Sequence, residues 1–188
     1  YSYESNHSAL SDDGSYLVYE YDYDTIHLLD LTTKQLTIIK DVSSDENVLG
    51  IAHHNEFIIY GNTDTLIKAS LDGSIIKKYP LPIATDDVIN CVSISAKNNY
   101  LAAGTYNGDV CLADLDTPIN KSNPSLLKPA NKSLHTQTVN AISFSQYEKY
   151  FLSCVEEGNA QVWDIKKKDL FQTINNGAPI VACAFAND

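Results

Sequence analysis

Four short apolar segments recur along this chain: Leu28-Leu29-Asp30-Leu31, Lys68-Ala69-Ser70-Leu71, Leu112-Ala113-Asp114-Leu115 and Val162-Trp163-Asp164-Ile165. Their third residues stand at 30, 70, 114 and 164, so the intervals are 40, 44 and 50 residues. A unit of that length cannot cover its own apolar faces and must stack on its neighbours. The repeat therefore restricts the architecture before any single residue is considered. It also restricts function, because stacked repeats serve mainly as binding platforms.

The last unit shows the internal plan. Val139 to Ser145 alternates as a strand, Gln146 to Lys149 is a polar turn, and Tyr150 to Val155 is a second, aromatic-rich strand. Glu156-Glu157-Gly158-Asn159 reads as a tight turn, Ala160 to Ile165 as a third strand and Leu170 to Ile174 as a fourth. The other units follow the same scheme, punctuated by Asp13-Gly14, Asp72-Gly73 and Asn107-Gly108. The third unit is irregular, with a weak fourth strand near Ser125 to Lys128. No window shows sustained helical periodicity. The pattern predicts an all-β chain of four-stranded antiparallel blades packed radially as a β-propeller. The approximate repeats are 7–47, 48–87, 88–138 and 139–178. Residues 180–188 then begin a fifth, aligned on Phe144 and Ile94, which predicts a partial or open propeller.

The last unit resembles a WD40 repeat: Trp163-Asp164 stands late in it, His135 near its start, and Glu157-Gly158 in the tight turn. That resemblance implies a tetrad joining a His, a strand Ser/Thr, a turn Asp and the Trp. Here Glu157 stands for the Asp and Val155 for the Ser/Thr, while the third unit keeps Thr105 and Asn107 without a Trp. On this alignment no unit builds the whole tetrad. The first unit, Ser11-Asp12-Asp13-Gly14-Ser15-Tyr16-Leu17, is similar to TolB-like propellers as well.

The net charge of −11 is uneven. Residues 1–60 hold 11 acids against 2 lysines. That balance argues against binding a phosphate backbone and favours a partner with a basic surface. No run of 18 apolar residues offers a transmembrane helix. Cys91, Cys111, Cys154 and Cys183 are scattered through apolar strands without Cys-x-x-Cys spacing. They read as small buried hydrophobes of a reducing compartment, and no metal site is expected. The sequons at Asn6, Asn120 and Asn131 point the other way, but chance sequons are common in a chain rich in Asn and Ser.

No nucleophile elbow, phosphate-binding loop or His-Glu-x-x-His is present, so neither catalytic residues nor a cofactor is expected. Adjacent turn acids such as Asp86-Asp87 and Glu156-Glu157 do not face each other across a substrate gap. His53-His54 would point apart in a strand, which makes joint metal ligation awkward. Asp116 to Thr138 is a long polar stretch that reads either as a docking loop or as a solvated insertion. The most unusual segment is Tyr19-Glu20-Tyr21-Asp22-Tyr23-Asp24, whose alternation sends tyrosines to one side and acids to the other. It suits a basic protein partner, since Tyr is enriched at binding hot spots. Packing of Tyr19 and Tyr21 between blades is the structural alternative. The expectation is a non-enzymatic scaffold, cytoplasmic or nuclear, that binds other protein subunits. A propeller attached to a hydrolase and an extracellular ligand-binding propeller are the alternatives.

Overall fold

The computed structural model describes residues 8–22, 25–40, 42, 48–120, 123–127 and 135–185. Among the described residues, sixteen strands form four four-stranded antiparallel sheets. The first blade holds β1 (Ser8–Leu10), β2 (Tyr16–Asp22), β3 (Thr25–Asp30) and β4 (Leu36–Lys40). The second holds β5 (Val48–Ile51), β6 (Ile58–Asn62), β7 (Thr65–Ala69) and β8 (Ile75–Pro80). The third holds β9 (Ile89–Ile94), β10 (Tyr100–Thr105), β11 (Val110–Asp114) and β12 (Ser125–Leu126). The fourth holds β13 (Val139–Phe144), β14 (Tyr150–Val155), β15 (Asn159–Asp164) and β16 (Asp169–Asn175). Each blade pairs its strands in chain order, and the first strands of successive blades lie against one another. This is the blade arrangement of an open propeller.

The cores lie between blades. Val18, Ile26, Leu28 and Ile39 of the first blade meet Ile58, Tyr60 and Ala69 of the second. Phe57, Ile59, Leu66 and Tyr79 meet Leu101, Ala103, Cys111 and Ala113 across the next seam. Ala102, Val110 and Leu112 then meet Phe151, Val155 and Trp163. Alternation along each central strand thus feeds two different cores, one on each face. Full burial of each large aliphatic or aromatic side chain contributes about 1.5–3 kcal/mol.

The recurring Asp of the repeat motif has a structural cause. Asp30 Oδ1 accepts from the backbone N–H of Thr32 and Thr33 at 2.8 and 2.9 Å. Asp114 Oδ1 does the same for Asp116 and Thr117 at 3.0 Å each, and Asp164 Oδ1 for Lys167 at 2.9 Å. Each Asp therefore caps the turn between the third and fourth strands of its blade. The bond from Thr33 N–H is the main reason that the Asp30 carboxyl titrates below its usual range.

A second series ties the blades together. The turns after β5, β9 and β13 place Asn55, Asn98 and Glu148 at positive φ, at 57°, 59° and 54°. Each side chain reaches back to the preceding blade. Asn55 Nδ2 donates to Asp13 Oδ2 and Ser15 Oγ at 2.9 Å, and Asn98 Nδ2 to Glu56 Oε2 at 3.2 Å. Glu148, only 8% exposed, accepts from Ser95 Oγ, from Lys97 N–H at 2.9 Å and from Asn99 Nδ2 at 2.8 Å. A glutamate in the left-handed region is strained by about 1 kcal/mol, which these charge-assisted bonds offset.

Three expectations need amendment. His53–Asn55 is a 3-10 turn with His54 at φ 59°, so the two histidines do not lie along a strand. Of the fourth strand expected near Ser125 to Lys128, Ser125–Leu126 is formed among the described residues, Lys128 lying outside them, and Asn123 anchors its start. Asn123 Oδ1 accepts from Asp114 N–H and its Nδ2 donates to Asp114 O, both at 2.8 Å. Finally, 180–185, expected to open a fifth blade, pairs in no sheet among the described residues, while 186–188 lie outside them.

Replacing Glu148 by Ala leaves three buried or half-buried donors without their acceptor. Urea denaturation is expected to show a loss of about 2–4 kcal/mol. Tyr147→Ala, one residue away at a side chain 72% exposed, should stay within about 0.5 kcal/mol of the parent.

Candidate functional site

Two places bring sequence-marked residues together. The first is the polar cluster inside the third-to-fourth blade seam. Trp163 on β15 is fully buried and stacks on Phe151, its partner across the ladder, with ring centroids 6.0 Å apart. Its indole Nε1–H donates to Ser153 Oγ at 2.9 Å. His135 Nε2 lies 2.8 Å from the same hydroxyl, so one serine serves both rings.

That geometry corrects the alignment. The Ser/Thr member is Ser153, not Val155, whose side chain joins the apolar core instead. Strand alternation puts 153 and 155 on one face, so sequence spacing alone does not separate them. The same shift applies to the third blade. Thr105 occupies the position of Val155, since Thr105 pairs with Ile89 as Val155 pairs with Val139. Its hydroxyl accepts from Asp109 N–H at 2.9 Å and closes the β10–β11 turn. Ala103 and Ala113 stand where the fourth blade has Ser153 and Trp163, and both are buried in an apolar core. Asn107 contributes its backbone N–H, which donates to Asp87 Oδ1 at 3.0 Å.

The remaining tetrad position is not connected. Glu157 Oε2 accepts from Thr136 Oγ1 at 3.0 Å on the exposed side. His135 Nδ1 is buried without a hydrogen-bond partner among the described residues. Gly158 is required next to Glu157, at φ 86°, where an added Cβ would come within 2.6 Å of the Ala178 carbonyl. Burial lowers the His135 pKa from 6.5 to about 4, so the ring is neutral in the fold at physiological pH.

The second place is the outward face of the first blade. Tyr21 sits at a bulge between Glu20 and Asp22 and is 67% exposed. Its ring stacks on His27 at 4.4 Å and 9°, while Tyr19 meets the same imidazole edge-on at 5.3 Å. Tyr19 Oη lies 3.2 Å from His27 Nδ1. His27 was not singled out in the sequence, although its position opposite Tyr19 in the hairpin was available as a signal. Leu10, Leu36 and Ile38 share this face, at 60%, 46% and 47% exposure. Glu20 opposes Ile26 and belongs to the other face, so the expected tyrosine-and-acid segment is divided between two surfaces. The side chain of Asp22, together with Tyr23 and Asp24, lies outside the described residues.

Other candidates resolve into structure. A cleft of about 250 Å³ between the first two blades is lined by Tyr16, Gln35, Asp30 and Asp72, but both carboxylates cap turns. Among the described residues no group of three or more His, Cys, Asp or Glu is arranged to hold a metal, and no helix is long and apolar enough to cross a membrane. The four cysteines are unpaired thiols; burial pushes that of Cys91 up to about 12 and that of Cys111 higher.

Residues 78–114 and 130–164 match the WD40 family model, described as WD domain, G-beta repeat. No curated protein matches the chain.

Ser153→Ala would strand both His135 and Trp163 inside the seam. It is expected to cost about 2–4 kcal/mol in urea denaturation. The lowered His135 pKa also makes stability fall with acid. The unfolded chain takes up a proton near 6.5 and the folded chain only near 4, so this contribution is complete above 6.5 and lost as pH falls toward 4. At about 1.4 kcal/mol per unit the full loss is roughly 3.5 kcal/mol. His135→Leu should flatten that part of the stability-against-pH curve.

Proposed function

We propose that this chain, which carries WD40 repeats, is a non-catalytic scaffold that binds protein subunits with basic surfaces. The observation that carries the reading is the outward face of the first blade. Tyr21 is held out by stacking on His27 while Leu10, Leu36 and Ile38 remain exposed around it. A stacked aromatic on a sheet loses little conformational freedom on binding, which suits a hot spot. The acidic excess of residues 1–60 supplies the field for a basic partner. Interlocked blades keep that face fixed, and presentation of fixed surfaces is what such stacks do best. Neither the tyrosine face nor the acids have the character of a nucleic-acid site. The four unpaired thiols support an intracellular setting, cytoplasmic or nuclear.

The test is quantitative capture of partners from native extract, followed by affinity measurement with the purified partner. Tyr21→Ala is expected to weaken binding by about tenfold or more without changing the melting temperature. Affinity should also fall as salt rises, since the acidic excess of residues 1–60 supplies the attraction. Unchanged affinity of Tyr21→Ala would remove this face from the proposal.

A further inference from the structure

Three of the four thiols lie close together. Cys91 Sγ on β9 is 3.2 Å from Val139 O, and Cys183 Sγ is 3.6 Å from Ala141 O and 4.0 Å from Leu152 O. Val139 and Ala141 both lie on β13, and Ala141 is the cross-strand partner of Cys154 on β14. Cys183 therefore rests on the β13–β14 ladder beside Cys154, and these two thiols interact directly. Cys91 stands farther along the same group, while Cys111 lies in the core of the preceding seam.

The pairing is particular to this place. By its ladder, Cys154 occupies the position that Gly104 holds in the third blade. With Phe185 aligned on Phe144, Cys183 occupies that of Ile142. The third-to-fourth seam thus has glycine and isoleucine where the fourth blade and residues 176–185 have two sulfurs. Both sulfurs are held between elements of this chain, Cys154 fully buried and Cys183 half-buried, so their contact does not depend on an open surface. The segment is otherwise attached by isolated hydrogen bonds. Asn176 N–H donates to Gly158 O at 2.8 Å, Asn140 Nδ2 to Ile180 O at 3.1 Å and Phe185 N–H to Ser143 Oγ at 3.3 Å.

We infer that Cys154 and Cys183 are a redox-responsive pair whose disulfide fastens residues 176–185 to the fourth blade. The oxidant is a small peroxide. The Cys183 thiolate attacks one oxygen of hydrogen peroxide and becomes a sulfenic acid; the hydroxide released takes up the thiol proton and leaves as water. The Cys154 sulfur then attacks the sulfenic sulfur, the S–S bond forms, and the displaced hydroxyl leaves as a second water with the Cys154 proton. In total the two thiols lose two electrons and two protons, and the peroxide is reduced to two waters. Burial raises the pKa of both thiols, so little thiolate is present at neutral pH and the reaction quickens in mildly alkaline buffer. This pair is separate from the tyrosine face of the first blade and does not depend on it.

The test is to treat the reduced, folded chain with hydrogen peroxide, quench with catalase, alkylate the remaining thiols and map tryptic peptides without reductant. Cleavage after lysine puts the four cysteines in four different peptides, with Cys154 in 150–166 and Cys183 in 169–188. The expected product is these two peptides joined, exceeding every other pairing by about tenfold in the folded chain. In urea, where the thiols meet by chance, mixed pairings should replace it. Dithiothreitol should release the bond. Oxidation should also slow hydrogen exchange of the amides in 180–185, and Cys183→Ser should abolish both the crosslink and that slowing. A main product that joins Cys91 to either thiol would overturn the inference. So would sulfinic acid at Cys183 without a crosslink, or four thiols still free after treatment. The map of the parent chain decides the question even where Cys183→Ser disturbs folding.

Discussion

A four-stranded blade in this chain has apolar side chains on both faces and no helix to cover either. Every blade therefore depends on a neighbour, and the seams, not the sheets, are where the stability resides. Val18 and Ile26 are fully buried only because Ile58 and Tyr60 stand opposite them. Leu101 and Ala103 need Ile59 and Leu66 in the same way. Such coupling between nearest neighbours makes the stack cooperative from blade to blade.

Burial alone does not set the angle or the register at which two flat faces meet. The directional bonds at the turns do that. Asn55, Asn98 and Glu148 occupy one repeated left-handed position and each reaches to the blade before it. In the first blade the corresponding position is Gly14, which has no side chain to extend. The third-to-fourth seam carries the deepest polar content, with Glu148 near one end and the Ser153 hydroxyl shared by His135 and Trp163 within it. The second-to-third seam replaces the latter with Ala103 and Ala113 in its apolar core. The same backbone thus accepts either a polar network or close apolar packing at that place. This is why recognisable Trp-Asp pairs can disappear from a repeat without the blade disappearing.

The blades were legible in the sequence because strand alternation and turn residues are local signals. All four strands of every unit lie close to where the pattern puts them, and the three recurrent aspartates prove to be turn caps. The polar network was less legible, because two residues of one strand face, Ser153 and Val155, are equivalent in alternation and differ only in what opposes them across the seam. The tyrosine segment shows the same limit. Alternation separated Tyr from Glu correctly, but the stacking of Tyr21 on His27 depends on cross-strand pairing and a bulge. Neither is written in the spacing of a single strand.

The polarity of the repeat makes the two faces of a blade unlike. Asn55, Asn98 and Glu148 each reach to the blade before their own, so a blade meets its two neighbours with different groups. On the first blade the outward face is made of side chains, Leu10, Tyr21, Leu36 and Ile38, around the imidazole of His27. Such a face is read by shape and residue identity, because the backbone beneath it is already paired within the sheet.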